Sequence, residues 1–450
     1  MTEPTAIQLD LLGKTQFSLY TQVCLCFGIS EGTDRDDLVA KLNAGLGRLA
    51  ISFPWINGNI IKLDQNGGRS PIGAIRTSSD QQQIVVKDLQ GSDNSVPTMA
   101  DLRKHDFAMS QLPEDVICPE KTIPVPGSLL PVFVVQATFV QGGLLVTFTG
   151  HHQAMDMTGL TVCIRLFNRA SRGEAFTEDE VAAGNMAREQ VIPVFDDKWK
   201  PDDEYSNRII ENVPPTTTHA TKAEESVHLE WVTFAFPSEA LATLKKEAMK
   251  TVSAGSYVST DDVLSIHIYQ NMTLARMHRF EKDTKVTLAR NVDSRRQLSI
   301  PEDYPGMVVT RTYMTHDVAA IGAAGSLGSL AAELRAASNQ AKDYLRVLAT
   351  VVARSDGKKT LQSPKLDSKV DVNSSSWAKY GELWSMDFGM GLGTPEAVQR
   401  PAFSPDFESL VYLLPKKPDG SIGVVMCLRP EDTEKLRIIR SWADYARYLG

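Results

Sequence analysis

A chain of 450 residues with 42% hydrophobic and 23% charged residues is long enough for two cores and has the mixture of a globular protein, not of a disordered one. Its formal net charge is −8, with Lys and Arg scattered and no basic run, which argues against a nucleic-acid partner. The five cysteines (Cys24, Cys26, Cys118, Cys163 and Cys427) are odd in number and mostly set in apolar stretches, the pattern of reduced buried thiols rather than of a disulfide framework.

The opening MTEPTAIQLDLLGK lacks a basic start followed by an apolar run, and no stretch approaches the ~18 apolar residues of a membrane span. A soluble cytoplasmic protein is expected. FSLYTQVCLCFGI then reads as a strand. Leu38, Leu42, Leu46 and Leu49 recur at helical spacing, with Asp34 or Asp36 as the cap and Pro54 as the stop. QQIVVKDL is a short strand. Two β-rich runs flank Gly142-Gly143 and predict a hairpin. Its second arm leads into GHHQAMDMTG, and Leu160, Cys163, Ile164 and Phe167 make the following segment an amphipathic helix.

Residues 196–226 are polar, with Pro214-Pro215 and a Thr run, and read as a crossover linker between domains at 1–195 and 227–450. The second half alternates again: strand EWVTFAF, helix SEALATLKKEAMK, a helix after STDD, strand KVTLARNVD and a long helix from GSLAAEL. Strands ESLVYLLPK and SIGVVMCLR close it, joined by a turn. Hairpins among helices predict an α/β (α+β) protein with mixed sheets, not one purely parallel sheet.

The chemistry centres on His152 and Asp156. They lie where a buried-looking strand meets a helix, a junction that can aim a side chain from rigid backbone. An imidazole there is suited to general-base work, because its ordinary pKa is near neutrality. A hydrogen-bonded structural histidine has the same signature, and the spacing alone is weak. A metal needs at least three ligands, and this pair supplies two. A second signal lies downstream, Asp387-Phe388-Gly389-Met390-Gly391-Leu392-Gly393. A kinase is excluded, since no His-Arg-Asp precedes it and 63 residues follow Asp387. The glycine spacing also differs from the dinucleotide-binding loop.

His-x-x-x-Asp in mid-chain followed by Asp-Phe-Gly-x-Gly near the C-terminus resembles the BAHD acyltransferases. The likeness runs through FPWINGNI (53–60), STDDVLSIHIY (259–269), VDSRRQLSIPEDYPGM (292–307), the 374–396 stretch and the closing PKKPDGSIGVVMCLRPED (415–432). It implies a two-domain chloramphenicol-acetyltransferase-like fold with the active site at the domain interface. It implies acetyl-CoA as co-substrate, no metal, a monomer, and transfer of acetyl to a hydroxyl of a secondary metabolite.

Within the family, the shared IQLDLLG, HQAMDMTG and Tyr-Pro-Gly features resemble fungal members that acylate the C-3 hydroxyl of trichothecenes. Another terpenoid, alkaloid or polyketide alcohol, or an amine, is the alternative acceptor. By the same resemblance His152 is the general base, and Asp156 pairs with Arg295 to hold the loop. Asp387, Gly389 and Gly391 support the structure. Ser259, Thr260, Ser376 and Trp377 are candidate CoA contacts, although Ser259 to Asp262 equally reads as a capping box. Met390 departs from the Trp of most plant members. A peptide-synthetase condensation domain and a non-catalytic binding protein on the same fold are the readings set against this one.

Overall fold

The computed structural model describes residues 6–62, 73–80, 82–91, 97–212, 227–253, 255–281, 283–323, 325–404 and 407–450. In chain order its main elements are β1 (Tyr20–Gly28), α1 (Arg35–Ser52), β2 (Val85–Asp88), β3 (Phe133–Val140), β4 (Gly143–His151), α2 (Met157–Ser171), β5 (Glu230–Phe236), α3 (Ser238–Met249), α4 (Thr260–Arg276), β6 (Lys285–Asp293), β7 (Val309–Asp317), α5 (Ser326–Arg354), β8 (Val372–Ser376), β9 (Ala397–Gln399), β10 (Leu410–Leu413), β11 (Ile422–Leu428) and β12 (Arg447–Tyr448). A five-stranded sheet runs β9-β1-β4-β3-β2, parallel only between β2 and β3. A seven-stranded sheet runs β7-β6-β8-β10-β11-β5-β12, parallel only along β6-β8-β10. Both sheets are mixed, as the hairpin signals predict.

Local chemistry explains the first sheet. Gly142 takes φ +77 in the tight turn between β3 and β4, where a side chain would be strained. The Asp34 carboxylate caps α1 by accepting from Asp37 N at 3.0 Å, and the helix stops at Phe53, before Pro54. The apolar stripes of α1 and α2 then share one core with β1, β3 and β4. In the second half, β5, β6, β10 and β11 pack with α3, α4 and α5 around a second core that includes the fully buried Trp442.

The two halves exchange chain. Trp377, Leu383, Trp384, Phe388, Leu392 and Val398 belong to the first core, although they follow β8 of the second sheet. β9 pairs with β1 in the register Ala397↔Cys26 to Gln399↔Cys24. This strand covers what would otherwise be an open edge. The linker reading at 196–226 falls partly outside the described residues, at 213–226. Of the rest, Ile209–Glu211 pairs with Lys359–Leu361 of the second half. Among the described residues no helix is long and apolar enough to cross a membrane.

Candidate active site

β4 ends at His151 and α2 starts after Asp156, so His152 sits in a turn pinned at both sides. The backbone N–H of His152 donates to Leu19 O at 2.8 Å. Ala154 and Met155 both donate to His151 O, at 2.9 and 3.1 Å. The His152 Nδ1 lies 3.3 Å from the Met155 carbonyl and 3.5 Å from Thr21 Oγ1. A carbonyl can only accept, so Nδ1 carries the hydrogen and Nε2 keeps its lone pair.

The ring lies deep in the protein, although the residue as a whole is partly exposed. Burial pushes its pKa below the ordinary value. The Arg311 charge acts in the same direction, while Asp156 and the Met155 bond oppose it. Near neutral pH the His152 imidazole is therefore uncharged. His151 points into the protein. It is fully buried, packs edge-on to Tyr20 at 4.9 Å, and is bonded to Ser18 and to Gln153 N–H.

Asp156 is fully buried and does two jobs with one carboxylate. It caps α2 through Gly159 N at 3.0 Å and accepts both arms of Arg295, at 2.8 and 2.9 Å. The Val308 N–H donates to it as well, at 2.9 Å. Arg295 spends its remaining donors on Tyr304 O (3.1 Å), Gly306 O (2.6 Å) and Asp293 Oδ1 (2.9 Å). Burial alone would weaken the guanidinium charge, but Asp156 and Asp293 outweigh it and hold Arg295 more firmly protonated than usual. This pair ties the turn after His152 to the segment just after β6 across 139 residues of chain. Neither oxygen of Asp156 is free to reach the His152 ring as a triad partner.

Residues given no individual role by the sequence complete the support. Thr158 Oγ1 donates to Asp293 Oδ2 at 2.8 Å and lies 2.7 Å from the Tyr380 hydroxyl. Lys379 adds an ion pair to Asp293. Gly159 meets the Tyr304-Pro305-Gly306 turn so closely that a Cβ would stand 1.9 Å from Pro305 O. Gly159→Ala should therefore destabilise the fold by about 1–3 kcal/mol, read as a lowered midpoint in denaturant unfolding; an unchanged midpoint would show that the turn yields freely.

The glycine loop lies elsewhere. Phe388 is fully buried against Phe27, 5.1 Å between ring centroids, at the end of β1 remote from His152. By strand rise that is about 20 Å away. Gly389, Met390, Gly391 and Gly393 all have positive φ, so the loop coils back and Phe388 N–H donates to Gly393 O at 2.9 Å. The exposed Asp387 caps it through Gly389 N at 2.7 Å. Asn168 and Arg172, at the far end of α2, bond the Asp387 carbonyl. These residues touch the core and not the histidine.

Ser259 caps α4 in a full capping box with Asp262. Both acids of the motif are matched: Arg290 pairs with Asp261 and Asp262, and Arg335 with Asp262 and Ser259. Ser376 Oγ donates to Asp261 Oδ1 at 2.6 Å, so Ser259 and Ser376 meet in one polar cluster, and Thr260 is the first residue of α4 beside it. Trp377 is 3% exposed and packs in the first core. Among the described residues no group of three His, Cys, Asp or Glu is placed to hold a metal.

Arg311, on β7, is a residue that sequence reading missed. It donates to Asn291 Oδ1 at 3.0 Å, directly across from it on β6, and no carboxylate pairs with it among the described residues. Its charge disfavours protonation of His152. Arg311→Met should raise the His152 pKa, so the acidic limb of kcat/KM moves to higher pH. A limb that stays in place, or moves to lower pH, would remove Arg311 from the field at the histidine.

The comparisons with known proteins fit this geometry. Residues 19–171 match the family model described as the trichothecene 3-O-acetyltransferase-like N-terminal domain. The chain is 37% identical to an O-acetyltransferase of Cryptosporiopsis sp. (strain 8999), dmxR13, covering 98% of this chain and 97% of that one. It is likewise 37% identical to the trichothecene 3-O-acetyltransferase TRI101 of Fusarium sporotrichioides, covering 99% and 97%. The crystal structure of that enzyme complexed with coenzyme A and T-2 superposes with a TM-score of 0.89 at 36% identity, over 99% of this chain and 100% of that one. Vinorine synthase, at 14% identity and a TM-score of 0.65, shares the fold. Kinship over almost the full length places the chain in the BAHD family as an O-acyltransferase of the trichothecene 3-O-acetyltransferase-like group.

Proposed function

We propose that this enzyme transfers acetyl from acetyl-CoA to a hydroxyl of a secondary metabolite, the C-3 hydroxyl of a trichothecene being the first candidate. The observation that carries the mechanism is the His152 ring, with Nδ1 tied to Met155 O and Nε2 without a hydrogen-bond partner among the described residues. Nε2 takes the proton of the acceptor hydroxyl as its oxygen attacks the thioester carbonyl. A C–O bond forms, the tetrahedral intermediate collapses, the C–S bond breaks, and the proton passes to the leaving thiolate. No covalent enzyme intermediate is needed. The base contributes roughly 10²–10⁴-fold in rate, and holding both substrates together supplies more.

Asp156 and Arg295 hold the turn, and Asp387, Gly389 and Gly391 hold the first core against the returning chain. Ser259, Thr260 and Ser376 are the proposed CoA-side residues, with Trp377 packed beside Ser376. Residues 1–195 and 227–450 act as two domains, with the 377–399 stretch of the second packed into the first and the site at their seam, and the enzyme works as a cytoplasmic monomer.

The test is incubation with acetyl-CoA and a panel of alcohols: deoxynivalenol, other hydroxylated sesquiterpenoids, alkaloids and polyketides. Thiol release and a 2-carbon gain by mass spectrometry are the readouts. Acetylation of the trichothecene supports the reading. Acetylation confined to another alcohol moves the acceptor, and no CoA release with any of them defeats the reading.

A further inference from the structure

The geometry of the His152 turn depends on a buried cluster that the acyl-transfer chemistry does not touch. Asp10 is fully buried, and Arg188 is 5% exposed. Arg188 Nη1 donates to Asp10 Oδ2 at 2.7 Å and to the carbonyl of Ala154 at 2.7 Å. Its guanidinium lies over the Trp55 ring, 4.4 Å from the centroid. The Tyr304 hydroxyl bonds the other oxygen of Asp10. Gly306 is where a side chain would strike both Asp10 and Tyr304. Four distant segments thus meet around Arg188, which holds that carbonyl.

That carbonyl belongs to the peptide immediately before Met155. The Met155 carbonyl in turn accepts from His152 Nδ1. A buried carbonyl without a partner costs about 1–3 kcal/mol, so in the absence of Arg188 the Ala154–Met155 peptide is driven to rotate towards another donor. Rotation there moves the acceptor that selects the ring tautomer. The neighbouring residue is held too: Gln153 O abuts Gly13, and Gln153 Nε2 donates to Gln16 O at 3.2 Å.

We propose that Arg188, fixed by Asp10 and seated on Trp55, is a positioning residue for acyl transfer: it holds the Ala154–Met155 peptide so that His152 keeps its hydrogen on Nδ1 and its lone pair on Nε2. The proposal rests on His152 as the base, but its primary readout does not.

The experiment uses the full chain with ¹⁵N-labelled histidine and long-range ¹H–¹⁵N correlation, the His152 signals being assigned by their loss in His152→Ala. The wild type should show one neutral tautomer, protonated at Nδ1. The double variant Asp10→Asn/Arg188→Met removes both charges together, so that neither is left buried and alone. It should show mixed tautomers and about a tenfold or larger fall in kcat, with KM for acetyl-CoA little changed. Tyr304→Phe, which deletes one hydroxyl contact to Asp10, should move both readouts the same way by less, and it decides the matter if the double variant does not fold. A folded variant with the wild-type tautomer and kcat overturns the proposal. Mixed tautomers with unchanged kcat would confirm the clamp and count instead against His152 as the base.

Discussion

His152→Ala lowers kcat by about 10²–10⁴-fold and leaves the melting temperature close to that of the wild type. The side chain does little to hold the fold: its bonds are a 3.3 Å contact to Met155 O and a 3.5 Å contact to Thr21. The turn is held by backbone bonds that alanine keeps, from His152 N to Leu19 O and from Ala154 and Met155 to His151 O. Turnover by thiol release and a thermal melt on the same preparation check both halves. Retained turnover removes His152 from the chemistry, and a large loss of stability makes it a structural residue. In the wild type the acidic limb of kcat/KM should lie below the ordinary histidine range, because burial lowers the pKa. The base is lost only as pH falls through that lowered value.

Asp156→Asn should cost stability and turnover together. The asparagine keeps the size of the side chain and loses the charge, so the buried Arg295 is left with Asp293 alone. Breaking one partner of a buried pair costs roughly 3–5 kcal/mol, and the amide cannot accept from Gly159, Arg295 and Val308 as the carboxylate does. Chemical denaturation should show the fall, with kcat reduced as the turn loosens. Asp156→Leu/Arg295→Met should recover part of the stability, since no charge is stranded, without recovering turnover. Unchanged stability with lost turnover in Asp156→Asn would instead give Asp156 a direct part in proton transfer.

The partnership of Asp156 with Arg295 was legible from resemblance, and the bidentate geometry now explains why those residue types are needed. The polar cluster around Ser259 was half legible. Its capping box follows from the spacing of Ser259 and Asp262, which is local. The arginines that neutralise Asp261 and Asp262 come from β6 and α5 and leave no pattern near the motif. Arg311 and Arg188 were invisible for a related reason. Each is one charged residue in an unremarkable stretch, and what distinguishes it is the partner brought beside it.

Periodicity and turn chemistry determined α1, α2 and the β3–β4 hairpin, because a helix stripe, a cap and a tight glycine turn are set by neighbours a few residues apart. The same local logic placed His152 and Asp156 at a strand–helix junction. Tertiary structure alone decided that β9 would leave the second half to pair with β1, and that Phe388 would pack between Phe27 and Phe148 in the first core. It also decided that a buried arginine would hold the Ala154 carbonyl. The physical reason is that edge pairing, core filling and the matching of buried charge are satisfied by whichever group the folded chain delivers, and sequence distance puts no mark on that group.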